Sequence, residues 1–260
     1  MDKETRKKID IKEKREELVV QSNDLIRNAR TLRYDLSVSE QKLIIYLISK
    51  LCAEDTDFKK VKFSISEYCD VCGIQKSGRE YERIKNSIKQ LRDKSYWIKN
   101  EREEILFAWL DTARLVKYET VELVLSESLR PYLLELRKNF TAYQLINVLC
   151  LKSKYSIRLY EIFKSYLWLG KWEVTIDEFR DIVYLKDKYQ LFKELKRNVI
   201  EPSIKEINKY TDLEIEYEAL KVGRSIEKLQ FKITEKRGYQ MTLELLLNQE
   251  DRMKVRERGL

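Results

Sequence analysis

The feature that most constrains this chain is an internal repeat. Ile65, Ser66, Glu67, Tyr68 and Ile74 correspond to Ile176, Asp177, Glu178, Phe179 and Leu185 at an offset of 111 residues. The same offset carries Tyr81, Ile84, Lys85 and Ile88 onto Phe192, Leu195, Lys196 and Val199. A preceding helical stretch also matches after a shift of three residues, with Leu43, Tyr46, Ile48 and Lys50 falling on Ile157, Tyr160, Ile162 and Lys164. Separate segments that share one offset predict a duplicated domain, and the period is far too long for a solenoid.

Each copy has the same order of elements. In the first, Ser37 or Ser39 can cap a helix whose Leu43, Ile44, Leu47, Ile48 and Leu51 recur at helical spacing. A short strand at Phe63 to Ile65 follows, then a helix capped by Ser66 and ended near Gly73. Ser77 opens a longer helix with Tyr81, Ile84, Ile88 and Leu91 on its buried stripe, and β-rich segments between Ser95 and Leu125 form an enlarged wing sheet.

In the second copy, Lys186 to Tyr210 is expected to be one amphipathic helix, with Phe192, Leu195 and Val199 inward and Lys186, Gln190, Lys193 and Arg197 outward. Strands at Leu213 to Tyr217 and Ile226 to Ile233, joined by EALKVGRS, complete a basic hairpin. Helix, strand, helix, helix, hairpin is the order of a winged helix. The expected fold is therefore α+β and helix-rich, with two tandem winged-helix domains related by internal pseudo-symmetry.

Residues 1–18 alternate acidic and basic side chains with few apolar positions and are expected to be a disordered tail. Residues 19–130 form the first domain, 131–237 the second, and 238–260 a C-terminal helix or tail. Pro202 is expected to kink the long helix or to end its groove-facing part.

The chemistry available to the chain is narrow. It has no histidine, which excludes imidazole acid–base catalysis, Ser-His-Asp and Cys-His arrangements, and metal sites that need imidazole. With 6 glycines it offers no Gly-rich phosphate cradle. Cys69 and Cys72 have zinc-ligand spacing but lack a second pair, so they are read as buried thiols, with a redox-sensitive pair as the alternative. Acidic residues such as Asp177, Glu178 and Asp181 are read as helix caps and dipole partners. No metal, no cofactor and no catalytic residue is expected. No apolar run approaches a membrane span, no signal-peptide core is present, and the location expected is the cytoplasm.

Basic residues exceed acidic ones by 52 to 44, a net charge of +8. Lys186 to Tyr210 carries +3 and Lys76 to Lys99 carries +5, so the excess lies in the second long helix of each copy, the one a winged helix places in the major groove. Arg pairs bidentately with guanine and Gln or Asn with adenine, while Lys neutralises phosphates. Gln190, Lys193 and Arg197, spaced three and four apart, are the candidate base readers, and Lys186, Tyr189 and Asn198 are further candidate DNA contacts of the same stretch. Lys188, Lys196, Lys221 and Arg224 are the candidate backbone contacts of the second domain. Lys76, Ser77, Arg79, Arg83 and Asn86 are the candidate DNA contacts of the first. The positions matching Gln190, Lys193 and Arg197 there are Arg79, Glu82 and Asn86. Glu82 would repel phosphate, so the second helix is expected to read bases and the first to support backbone contact and dimerisation.

Three stretches carry a family resemblance: VVQSNDLIRNARTLRYDLSVSEQKLIIYLIS, KYSIRLYEIFKSYL, and TIDEFRDIVYL followed by the helix containing VIEPSIKEIN. With them the sequence resembles the iteron-binding plasmid replication initiators of the Rep_3 type over roughly residues 19–236. The resemblance implies binding to directly repeated origin sequences in double-stranded DNA, help in origin opening, and recruitment of host replication proteins such as helicase and DnaA. It also implies a monomer–dimer equilibrium with autorepression by the dimer, and no catalytic activity. A winged-helix transcriptional regulator without a replication role is the alternative, and a tyrosine-dependent nicking initiator a more distant one.

Overall fold

A computed structural model describes residues 3–27, 36–51, 55, 58, 60–99, 104–116, 120–134, 136, 138–185, 187–223 and 225–237. The expected C-terminal helix at 238–260 lies outside the described residues.

Helix α1 (Lys3–Glu16) comes first, followed by strand β1 (Leu18–Ser22) and the single-turn α2 (Asn23–Arg27). The expectation of a disordered tail is thus corrected. Arg15 is buried and donates from Nε to the Val71 carbonyl at 2.7 Å and from Nη2 to the Asp70 carbonyl at 2.8 Å. Lys14 pairs with Glu67 at 3.0 Å, and Lys7 with Asp70 at 2.8 Å. Such polar anchors leave no hydrophobic periodicity, which is why the composition of the segment resembled a solvated tail.

The first winged helix begins at α3 (Val38–Ile48). Ser37 is its cap, in a capping box with Glu40, and Leu43, Ile44, Tyr46, Leu47 and Ile48 are buried. Strand β2 (Val61–Ser64) runs directly into α4 (Ile65–Cys72), and the cap is Ser64 rather than the expected Ser66, its hydroxyl accepting from the Glu67 N–H at 2.9 Å. Gly73 ends α4 at φ 65°, a left-handed conformation that suits a residue without Cβ. Ser77 caps α5 (Gly78–Asp93), whose buried face is Ile84, Ser87, Ile88 and Leu91.

The β-rich region divides into two sheets instead of forming one wing. Strands β3 (Ser95–Lys99) and β4 (Glu104–Ala108) pair as a separate hairpin, while β5 (Leu110–Val116) and β6 (Thr120–Leu125) join β2 in the order β2-β6-β5. Phe107 and Trp109 are buried and meet edge to face at 5.8 Å, so the chain turns inward between the sheets.

After the short α6 (Arg130–Leu133), strand β7 (Phe140–Gln144) returns to pair antiparallel with β1. Helix α7 (Leu145–Leu149) then leads through residues 150–153 to α8 (Lys154–Tyr166), which Ser153 caps. Strand β8 (Lys171–Thr175) enters α9 (Ile176–Ile182) through a Thr175–Glu178 capping box, at the repeat offset from Ser64 and Glu67. The long helix of the second copy consists of α10 (Phe192–Leu195), a π segment at Lys196–Ile200, and α11 (Glu201–Tyr210). Strands β9 (Leu213–Val222) and β10 (Ser225–Glu235) complete a sheet of order β8-β10-β9.

In both copies the strand before the short helix pairs with the last strand of the wing, so the duplication is one of topology as well as sequence. Tyr68 and Phe179, equivalent by the repeat, are both buried: Tyr68 packs on Tyr46 and Phe63, Phe179 on Trp172 and Phe231. The two modules also share one continuous core. A buried polar cluster lies at their junction, where Gln21 of β1 donates to the Glu161 carboxylate of α8 at 2.6 Å and the Tyr143 hydroxyl of β7 donates to the same oxygen at 2.8 Å.

Candidate nucleic-acid interface

The second module presents its long helix and wing to solvent, but the helix begins later than its sequence suggests. Phe192 is the first helical residue, so Lys188, Tyr189 and Gln190 lie in the turn ahead of it. Lys186 and Arg224 lie outside the described residues. Tyr189 has φ 55°, is half-buried and packs on the core, which sets it apart from the exposed Lys188 and Gln190. Arg180 of α9 holds this turn. Its Nη1 donates to the Tyr189 carbonyl and its Nη2 to the Lys188 carbonyl, both at 2.6 Å. Without a regular helix there, amphipathic spacing counted from Gln190 does not apply, and Gln190 flanks the helix instead of sharing its stripe.

Within the helix, Lys193, Lys196 and Arg197 are exposed while Leu195, Val199 and Ile200 are buried. Lys196 pairs with Glu201 at 3.4 Å. Asn198 turns back along its own helix, donating from Nδ2 to the Glu194 carbonyl at 2.8 Å, so its amide is engaged locally. Pro202 explains the π segment. It has no N–H for the Asn198 carbonyl, and the Glu201 N–H reaches back five residues to the Lys196 carbonyl. The helix therefore widens and continues to Tyr210 instead of ending.

The wing is longer than expected, because β9 continues through the segment read as a connecting turn and reaches Val222. Along it, opposite charges offset one another: Lys232 pairs with Glu216 at 3.1 Å and Lys228 with Glu173 at 2.8 Å. Lys221 stands exposed near the tip, beside Gly223 at φ 64°. Among the described residues Lys188, Lys193, Arg197 and Lys221 form no ion pair, and neither do the exposed Lys171, Lys205 and Lys209, so free positive charge is spread over this module and part of it stands on the turn, helix and wing tip that a winged helix turns towards DNA.

The first module is more self-neutralised. Lys76 is bonded to Asp70 at 2.7 Å, Arg83 to Glu80 at 3.3 Å and Lys85 to Glu82 at 3.5 Å, and Lys89 pairs with Asp93. Ser77 accepts the Glu80 N–H at 3.2 Å as helix cap. Only Arg79 and Asn86 of its candidate residues are exposed without a bond or ion pair among the described residues. Arg83 is exposed and, with Glu80 and Ser87, also borders a cavity against α3.

Other chemistry finds little support in the geometry. Burial pushes the Cys72 thiol up to about 12 and raises that of Cys69, so neither supplies a ready thiolate. Burial likewise pushes the phenols of Tyr46, Tyr68 and Tyr160 upward. Among the described residues no group of three His, Cys, Asp or Glu side chains could hold a metal, and no helix is long and apolar enough to cross a membrane.

Sequence reasoning missed Arg180 and the helix α1. The repeat offers no pointer to Arg180, since Cys69 occupies its equivalent position.

Comparison with known proteins agrees with this architecture. A family model described as "Initiator Replication protein, WH1" matches residues 18–164, and one described as "Initiator Rep protein, WH2" matches residues 175–233. A replication initiation protein of Escherichia coli is 30% identical over 228 residues, which span 84% of this chain and 71% of that protein. The crystal structure of the Pi initiator protein in complex with iteron DNA superposes with a TM-score of 0.72 at 18% identity, covering 86% of this chain and 99% of that one. At that identity the superposition speaks for the fold.

Proposed function

The chain belongs to the initiator replication protein family, and from that premise we propose that it is a plasmid replication initiator that binds directly repeated sequences in double-stranded DNA. The observation that carries the assignment of roles is the group of cations without carboxylate partners, Lys188, Lys193, Arg197 and Lys221, on one exposed turn, helix and wing. Arg197 and Lys193 stand four residues apart and are suited to base edges and adjoining phosphates, while Lys188 and Lys221 are suited to the backbone on either side. Gln190, at the mouth of the helix, is a further candidate for base contact.

The first module, with most of its helix cations already paired, takes a supporting role through Arg79 and Asn86 and contributes to dimerisation. Binding as a monomer to repeats, autorepression as a dimer, and recruitment of helicase and DnaA belong to the same proposal. No catalytic step is part of it. The test is a hydroxyl-radical footprint on the DNA flanking the gene. Protection repeating on one face of the duplex across successive direct repeats is the expected result, and protection of a single inverted repeat would point instead to a regulator.

A further inference from the structure

A cavity of about 350 Å³ lies between α3, α4 and α5 of the first module and the segment Leu149–Lys152 that leads into α8, with Arg83, a candidate DNA contact, at its rim. Its volume is within the range of small-molecule sites. The walls are mostly apolar and include Val38, Leu43, Tyr68, Ile84 and Leu149. One cation enters from α3: Lys42, whose Nζ donates to the Leu149 carbonyl at 2.6 Å.

That carbonyl is the only hydrogen-bond partner of the Lys42 ammonium among the described residues. No carboxylate pairs with it. Glu206 acts on it only through space, because its oxygens accept from the Lys152 and Ser153 N–H groups at 2.7 and 3.3 Å. The neighbouring thiols of Cys72 and Cys150 are each pushed up to about 12 by burial, so they supply no anion either. Burial accordingly draws the Lys42 ammonium below its ordinary value. Lys42 is half-buried, and a cation held there without an ion-pair partner would be relieved by an anion beside it.

We propose that this cavity is a binding site for a small organic monocarboxylate with an apolar body, its head group paired with Lys42 and its chain against the apolar walls. A dianion such as phosphate fits less well. The other cations at the rim are Lys152 and Arg83, and Arg83 is already paired with Glu80 at 3.3 Å. An occupant would bridge α3 and the Leu149–Lys152 segment, and so brace the first module against the connector to the second. This inference is independent of the DNA-binding proposal.

The test is calorimetric titration of the full chain with octanoate, and in parallel with acetate and 1-octanol. Octanoate is expected to bind saturably at one site, about tenfold or more tighter than either control, because only octanoate supplies both charge and chain. Lys42→Met, with an unchanged melting transition, is expected to weaken octanoate about tenfold or more. Val38→Phe, which fills the cavity and leaves Lys42 in place, is expected to abolish binding and serves as the deciding variant should Lys42→Met fail to fold. The proposal is overturned if the unmodified chain shows no saturable binding, if 1-octanol matches octanoate, or if the folded variants bind octanoate as well as the unmodified chain.

Discussion

Arg180 and Tyr189 are joined across the turn that precedes the basic helix, the guanidinium Nη1 donating to the Tyr189 carbonyl at 2.6 Å. Tyr189 has the left-handed backbone angle φ 55°, which a side chain with Cβ adopts at some cost, and the same guanidinium also binds the Lys188 carbonyl. Arg180 therefore positions the start of the helix without belonging to it. Removing it by Arg180→Ala should lower thermal stability by about 1 kcal/mol, since the site is half-exposed, and weaken binding to cognate repeats about tenfold. Non-specific binding should change much less, so titrations of cognate and random duplexes side by side decide the point; equal loss on both would remove the positioning role.

Arg197 and Lys221 should respond differently to truncation. Arg197→Ala is expected to cost about 1–3 kcal/mol on the cognate repeat and to relax preference at one base pair. Lys221→Ala should weaken cognate and random DNA alike and reduce the slope of log K against log salt by about one. Affinities measured at several salt concentrations separate the two behaviours, and identical profiles for both variants would contradict the assignment.

Arg15 ties α1 to the first winged helix through two backbone carbonyls in a buried setting. Arg15→Ala leaves those carbonyls short of a donor and should destabilise the fold by about 2 kcal/mol. Release of α1 should appear as new protease cleavage within residues 3–16, while the second module keeps its native protection. A cleavage pattern identical to that of the unmodified chain would show that the helix is held mainly by other contacts.

Glu161 gives stability a pH dependence. Burial raises its carboxyl above the ordinary 4.5, a tendency that Arg158, Tyr143 and Gln21 only partly counter. A carboxyl raised on folding supports the native state fully below its unfolded value, and that support is lost as pH rises through the folded value. Stability should therefore decline as pH climbs from about 4.5. Glu161→Gln, which keeps an acceptor for Tyr143 and removes the charge, should flatten this decline and raise stability at neutral pH. Denaturant midpoints at a series of pH values check this, and an unchanged slope in the variant would place the dependence elsewhere.

Local signals in the chain located most elements. Ser77 and Gly73 marked helix ends because cap chemistry is local, needing one side chain and the backbone within a few residues. The repeat from Ile65 to Ile176 identified matching core positions, because the same pattern of buried residues must recur wherever the same fold does. The start of the basic helix was misjudged for the opposite reason: Lys186 to Leu191 has a helical pattern of charge, yet Arg180 from a different element captures the carbonyls at Lys188 and Tyr189. The same holds for Asn198, whose amide is drawn to the Glu194 carbonyl, and for Lys76, held by Asp70.

The sequence by itself determined that two copies of one helix–strand–helix–helix–hairpin unit exist, that histidine chemistry is excluded, and that the positive charge is concentrated in the second long helix of each copy. These follow from composition and from periodicity along the chain. Only the tertiary structure decided which of those charges remain uncompensated, that β1 pairs with the distant β7, and that Lys42 faces a cavity with the Leu149 carbonyl as its hydrogen-bond partner. The physical reason is that charge compensation and strand pairing depend on distance in space, and residues such as Lys7 and Asp70, or Gln21 and Glu161, are brought together by folding over separations that no local pattern records.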